Sequence, residues 1–421
     1  MLKEFRFKNY RSFKNEQVLS LEPMEFENKL LDDFNISESG LLKSAIIYGH
    51  NSYGKSNIFK ALSQMKRVII YCTHQDFKID ADNFKLDSVS FNMPTLFEIS
   101  IKIEDNFYRY GFEVLKEKIV KEWLYKNEDT KVFERGGSLN TSIELGEEYS
   151  RLNKFIEFTR ENELFFSSMV RNNEQDEIKK IYDWIVENIV IFSAEEIFSG
   201  LTSELFINKK LNKEEILKAL KCADLGIEDF EVKKEEEKSF DFPPFIEKII
   251  KEVVKEQSNS EGKFYRTEEI TKHSVYDENR EKIEEIEFNF LEKESSGTIK
   301  FYSILGPILD TLKNGKVLFI DELDSKLEHN LTKYIIELFH NLSSNRKNAQ
   351  LIFNTHDFYF INSNIFRRDQ IYVVDKNRYG ESTLDSFGDF EGVDDETNLL
   401  KNYLANNFGG IGKIKKQKLM I

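Results

Sequence analysis

A chain of 421 residues with 40% hydrophobic and 13% aromatic side chains can build two or three packed units, which excludes disorder as the default state. Its formal net charge of -15 excludes a general nucleic-acid-coating role and confines any DNA contact to a local basic patch. Two distant cysteines with no His/Cys cluster, an opening (MLKEFRFKNYRSF) with no apolar signal segment, and no apolar run of the ~20 residues that a spanning helix needs point away from zinc, secretion and the membrane, and toward the cytoplasm.

Residues 1–22 alternate apolar and polar side chains, as a half-buried strand does, and Ala45–Tyr48 is a short apolar strand that ends in glycine. The helical pattern KSNIFKALSQMKRVIIY follows at once. TLFEISIKIED, FYRYGFEVLK and KIVKEWLYK then read as strands separated by short turns, which predicts an antiparallel sheet. From about Arg151 the pattern changes. RLNKFIEFTRENELFF, EIKKIYDWIVENIVIF and NKEEILKALKCADL read as helices, whereas VKKEEEKSF and EQSNSEGKF read as charged surface links. Strands return near Lys263, followed by the helix TIKFYSILGPILDTLK, the apolar run KVLFIDE, another helix, the strand AQLIFNTHD, IYVVDKN and a lysine-bearing tail. The expected division is 1–150, a mainly helical insertion at 151–262, and 263–421.

Gly49–Ser56, GHNSYGKS, fits G-x-x-x-x-G-K-[ST] between a strand and a helix. Glycines let successive N–H groups turn inward as an anion nest, and the helix N-terminus adds positive potential. Gly49, Asn51, Ser52, Tyr53, Gly54, Lys55, Ser56 and Asn57 are therefore the candidate ATP-binding stretch, with Lys55 for the β- and γ-phosphates and Ser56 for Mg²⁺. KVLFIDE ends in two acids. At the end of a parallel strand these fall beside the phosphate loop, where Asp321 can hold Mg²⁺ through water and Glu322 can polarise the attacking water. His356, at the end of AQLIFNTHD, is a candidate γ-phosphate sensor. Ser295, Ser296 and Gly297, in ESSG, would alone read as a helix cap.

The order of these parts (phosphate loop, long insertion, Ser-Gly helix start, Asp-Glu strand, His strand) resembles that of ABC-type ATPases. That resemblance makes Ser295-Ser296-Gly297 the signature that meets the γ-phosphate of a neighbouring subunit. FRFKNYRSF is similar to the opening of SMC, RecF and OLD-like ATPases, in which the arginine, here Arg11, approaches nucleotide. ESSGTIKF, DELDSKLEH, QLIFNTHD, FRRDQIYVVDKN and YLANNFGGI together resemble a bacterial family that includes the RloA and AbiL ATPases and, more distantly, the ATPase of the PARIS system. The resemblance implies an α/β fold, an ABC-type P-loop ATPase head with an antiparallel β-subdomain. It also implies ATP and Mg²⁺ as cofactors, a homodimer or higher homo-oligomer through shared ATP sites, and anti-phage defence beside a toxic effector, a TOPRIM-like or other nuclease encoded nearby. A RecF/SMC-like role in DNA maintenance is the alternative, with DNA as a possible partner; a transporter subunit fits the opening and the C-terminal segments poorly. The chain departs from the family pattern in three places. No glutamine loop is assignable, Glu294 replaces the usual leucine and Ser296 a glycine, and the roughly fifty residues after IYVVDKN are too few for a nuclease domain. The acidic pair in Val393-Asp394-Asp395 reads as a loop.

Overall fold

The computed structural model describes residues 1–25, 31–127, 129–136, 142–172, 176–192, 199–237, 264–362, 364–393 and 397–412. The EQSNSEGKF link up to Lys263, the pair Asp394-Asp395 and the lysine tail lie outside them. The chain divides into two units. The first holds Met1–Glu196, Thr311–Ser325 and Thr332–Ile421; the second holds Ile197–Asp310 and Lys326–Leu331.

In the first unit, β1 (Leu2–Lys8), β2 (Gln17–Ser20) and the one-turn α1 (Asp32–Asn35) lead to β3 (Ser44–Gly49) and α2 (Lys55–Tyr71). Then come β4 (Thr95–Ile103), β5 (Asn106–Leu115), β6 (Lys118–Lys126), β7 (Thr130–Arg135) and β8 (Ile143–Leu145). Seven of these strands form one sheet in the order β2-β1-β4-β5-β6-β7-β8, antiparallel throughout, as the alternating runs predict.

The second sheet of this unit explains the unbroken apolar runs. Its order is β16-β15-β3-β14-β13-β9, from β9 (Ile189–Phe192), β13 (Val317–Ile320), β14 (Gln350–Asn354), β15 (Ile371–Lys376) and β16 (Ser382–Ser386). All neighbours are parallel except the edge pair β15–β16. Every residue of β3, β13 and β14 is buried, because both faces of the sheet are covered. On one face lies α2, whose Ile58, Phe59, Leu62, Met65 and Ile69 share a core with Ala45, Ile47, Phe319 and Ile352 and with Phe97 and Ile99 of the antiparallel sheet. The buried amide of Gln350 joins the two sheets: its Oε1 accepts from Leu2 N at 2.7 Å, and its Nε2 donates to Leu2 O and Leu42 O at 2.9 Å.

The expected helical stretch from Arg151 to Gly262 turns out to be mixed. Glu147–Phe158 is wound in tight three-residue turns, and α3 (Phe165–Arg171) and α4 (Glu177–Asn188) are helices. The last four residues of EIKKIYDWIVENIVIF then leave the helix as β9. The β-branched run Ile189-Val190-Ile191 suits a strand better than a helix, and Asp321 N donates to Phe192 O at 2.9 Å beyond the last paired residues.

The second unit contains α5 (Ser199–Ile207), α6 (Lys213–Cys222), β10 (Asp229–Glu237), β11 (Phe264–Tyr276), β12 (Lys282–Asn289), the single turn α7 (Phe290–Lys293) and most of α8 (Ser296–Asn314). Its sheet is antiparallel, β10-β11-β12, so VKKEEE, Val232–Glu237, is a strand rather than the expected link, whose last residues, 238–240, lie outside the described ones. Charge set against propensity in that run, and cross-strand pairing with β11 prevails. Phe230, Phe290 and Tyr302 pack at the centre, with rings 4.8–6.2 Å apart. The Thr202 hydroxyl enters the ladder of α8: it donates to Tyr302 O at 2.5 Å and accepts from Gly306 N at 2.9 Å, one residue before Pro307. α9 (His329–His340) and α10 (Leu399–Leu404) complete the helices used below. Among the described residues, no helix is long and apolar enough to cross a membrane.

One packing detail of the first unit is pH-dependent. His340 is buried with Nε2 2.7 Å from Ser44 Oγ. Burial, with the Lys43 ammonium nearby, lowers its pKa from 6.5 to about 3. Below pH 6.5 the unfolded chain binds this proton and the folded chain does not, so stability falls as pH drops through that window. Between pH 7 and pH 5 this one group should cost on the order of 2 kcal/mol. Urea unfolding at both pH values should show His340→Gln losing less stability than wild type by about that amount. An equal acid loss in both proteins would place the titration elsewhere.

Candidate active site

The loop between β3 and α2 is held in conformations that exclude side chains at its two glycines. Gly49, Ser52 and Gly54 have φ of +146°, +67° and +122°. A Cβ at Gly49 would stand 2.6 Å from Val374 O, and one at Gly54 would stand 2.6 Å from Ser12 Oγ. Asn51 and Ser52 are exposed, while Tyr53 is half-buried with its ring 5.2 Å from His50. Lys55 is only 6% exposed. Its Nζ donates to Gly49 O at 2.6 Å, and burial lowers its pKa against the opposing pull of Glu322, Asp321 and Asp324.

The turn between β1 and β2 covers this loop. Asn9 accepts from Phe84 N and donates to Ser90 O and Met93 O, while Tyr10 and Phe13 are buried. Arg11, at φ +49°, pairs through Nε with Asp82 Oδ2 at 2.7 Å. It is Ser12 that meets the loop: its Oγ accepts from Asn57 Nδ2 at 2.9 Å, and its carbonyl accepts from Ser382 N at 2.8 Å. Ser382 Oγ in turn donates to Tyr53 O at 2.5 Å. Ser12 and Ser382 carry no signal by residue type, since a serine in a turn is ordinary.

The ends of β13 and β14 bring the acids to the same edge. Ser56 Oγ donates to Asp321 Oδ1 at 3.0 Å. The buried side chain of Asn354 joins the two acidic positions, its Nδ2 donating to Asp321 Oδ1 and its Oδ1 accepting from Glu322 N at 2.6 Å. Glu322 sits at φ +54°, a conformation that a non-glycine residue keeps only when its surroundings impose it. Asn354 was legible only as a polar residue inside an apolar strand, QLIFN. His356 N donates to Asp324 Oδ2 at 3.0 Å, and Asp324 Oδ1 is buried without a hydrogen-bond partner among the described residues. Desolvation and the Lys55 charge lower the pKa of the His356 ring against the opposing pull of Asp324 and Glu322.

The Ser-Gly segment lies in the second unit. Ser295 acts as the cap of α8, its Oγ accepting from Thr298 N at 3.1 Å, and Ser296 beside it is exposed. Glu294 is held from β11 by Thr271 Oγ1 at 2.6 Å and His273 Nε2 at 2.7 Å. A Cβ on Gly297 would stand 3.0 Å from Lys326 O.

These donors fit a magnesium nucleotide. Mg²⁺ takes hard oxygen ligands and binds through one or two carboxylates plus phosphate, and Ser56 with Asp321 offers that set. The buried Lys55 ammonium, bonded only to loop carbonyls among the contacts above, is the natural counter-charge for phosphate.

Asn354→Ala would leave Asp321 without one donor and Glu322 N–H without its acceptor. Stability should fall by about 1–3 kcal/mol, and, if these residues hold a magnesium nucleotide, the Mg²⁺ midpoint for binding ATP should rise. A magnesium titration alongside urea unfolding checks both, and an unmoved midpoint would remove Asn354 from the site.

A protein-family model described as "AAA domain, putative AbiEii toxin, Type IV TA system" matches residues 44–362. No curated protein matches the chain in sequence. Among solved structures, the crystal structure of the SmcHead bound to the C-winged helix domain of ScpA is similar at 14% identity and a TM-score of 0.38, covering 91% of this chain and 97% of that one. Since the family match spans more than half of the chain and runs from β3 past His356, this protein belongs to the AAA ATPase family so described.

Proposed function

We propose that the protein binds and hydrolyses ATP with Mg²⁺ in a homodimer that shares its sites, and that this cycle controls a toxic effector in anti-phage defence. The observation that carries the ATPase reading is the 3.0 Å bond between Ser56 Oγ and Asp321 Oδ1, which sets the end of the phosphate loop against the acidic strand end. The family's description as a type IV toxin–antitoxin component, together with the sequence resemblance to RloA- and AbiL-type ATPases, supports the defence role.

Mg²⁺, when bound, neutralises phosphate charge as it shifts toward the leaving group. Loop N–H groups and Lys55 hold the phosphates. Ser56 and Asp321 would hold the ion. Glu322, fixed by Asn354, orients a water and draws off its proton. The His356 ring has an N–H to donate to a γ-phosphate oxygen. Ser295, Ser296 and Gly297 supply the exposed helix start that completes a neighbour's site.

Lys55→Ala should abolish ATP binding while the protein still unfolds cooperatively. Calorimetric ATP titration beside a thermal melt checks this, and wild-type binding in the folded variant would refute the loop assignment. Glu322→Gln should bind ATP normally and hydrolyse it ~10²-fold more slowly, accumulating as an ATP-bound dimer in light scattering. Unchanged turnover would mean that another group activates the water.

Sharing is tested by complementation. Ser296→Arg and Lys55→Ala proteins should each be inactive alone, whereas their heterodimer keeps one intact composite site and should regain part of the wild-type rate. A heterodimer shown to form, with nucleotide bound at its intact loop, yet no activity would argue that each site works within its own chain or that both sites must fire together.

A further inference from the structure

Beyond the strands of the first unit, the chain returns to the phosphate loop from an unexpected side. Tyr403, the penultimate residue of α10, is 1% exposed, and its ring packs tilted against Tyr48 of β3 at 5.9 Å and Phe358 at 5.6 Å. Its hydroxyl donates to Gly410 O at 3.5 Å. Phe408 then anchors the chain between Phe387 at 4.5 Å and Phe390 at 4.9 Å.

Three glycines follow, and each lies where a side chain would collide. Gly409 and Gly410 have φ of +76° and +78°, and their Cβ atoms would stand 2.9 Å from Asp375 Cγ and 2.4 Å from Val373 Cγ2. Gly410 N donates to Asp375 Oδ1 at 3.0 Å. A Cβ on Gly412 would stand 2.5 Å from the His50 ring. The segment therefore lies flush along the end of β15 and against the residue that follows Gly49. Those two residues are also where Lys55 Nζ is anchored, at 2.6 Å to Gly49 O and 3.5 Å to His50 O.

We propose that Tyr403–Gly412 is a positioning element of the nucleotide site: Tyr403 packs on Tyr48, the neighbour of Gly49, and ties down Gly410, Gly412 leaves the space that His50 occupies, and together they set the carbonyls that aim Lys55. This rests on the ATP-binding reading above. It assigns a task to YLANNFGGI, which the sequence offers only as a resemblance.

ATP affinity, measured by calorimetry with Mg²⁺ on the full chain, tests it. Tyr403→Phe keeps the ring packing and removes only the hydroxyl that holds Gly410. It should bind ATP about three- to ten-fold more weakly while a thermal melt shows it still folded at the assay temperature. Gly412→Val should bind at least about ten-fold more weakly, because the new side chain displaces His50. His50→Ala in the Gly412→Val background should restore the affinity to that of His50→Ala alone, since the collision is gone. A purely structural role for the segment would lower the melting temperature without this rescue. Wild-type affinity in Tyr403→Phe, or a double variant as weak as Gly412→Val, would overturn the proposal. A wild-type protein that binds no ATP would overturn it together with the reading it rests on.

Discussion

Parallel pairing of β3, β14 and β13 is the constraint on which the site depends. Parallel strands end at one edge of their sheet, so whatever follows each strand is delivered to a common line. The register Val317↔Gln350 and Leu351↔Ser44 fixes how far each strand reaches. The phosphate loop, the two acids and Thr355-His356 then become neighbours although more than 260 residues separate Ser56 from Asp321. Asn354 turns this alignment into a fixed geometry, because its one amide binds both acidic positions.

The second requirement is that the loop keep its curvature. Neighbouring segments supply that support. Ser12 presses on Gly54 from the antiparallel sheet, Val374 on Gly49 from β15, and Gly412 on His50 from the C-terminal segment. The loop is thus shaped by contacts from three distant parts of the chain, two of them close enough that the residue opposite must be glycine.

Much of this was legible beforehand because it depends on local pattern. GHNSYGKS, KVLFIDE and AQLIFNTHD announce loop and strand ends through apolar runs closed by polar residues, and the 17-residue α2 begins at Lys55 as its periodicity predicts. The strands of the antiparallel sheet followed from alternation. What escaped was decided by partners. IVIF, joined without punctuation to a good helix, becomes β9 only because β13 offers an edge. VKKEEE pairs with β11 despite its charge. The resemblance points to Arg11, which pairs with Asp82, and the neighbouring Ser12, which it does not single out, touches the loop. No residue-by-residue reading could have found Ser12, since its role comes from the distance to Gly54 and not from its own chemistry.

The placement of β3 between β14 and β15 also bears on how the protein is made. β3 is the first strand of its sheet to leave the ribosome, and both of its neighbours, Gln350–Asn354 and Ile371–Lys376, come about 300 residues later. At typical rates of synthesis that is a wait of roughly 15–60 s, during which Ala45, Ile46, Ile47 and Tyr48 have no sheet to join. The phosphate loop therefore cannot take its final form on a nascent chain. A chain that stops before Gln350 leaves Ala45–Tyr48 without either neighbouring strand.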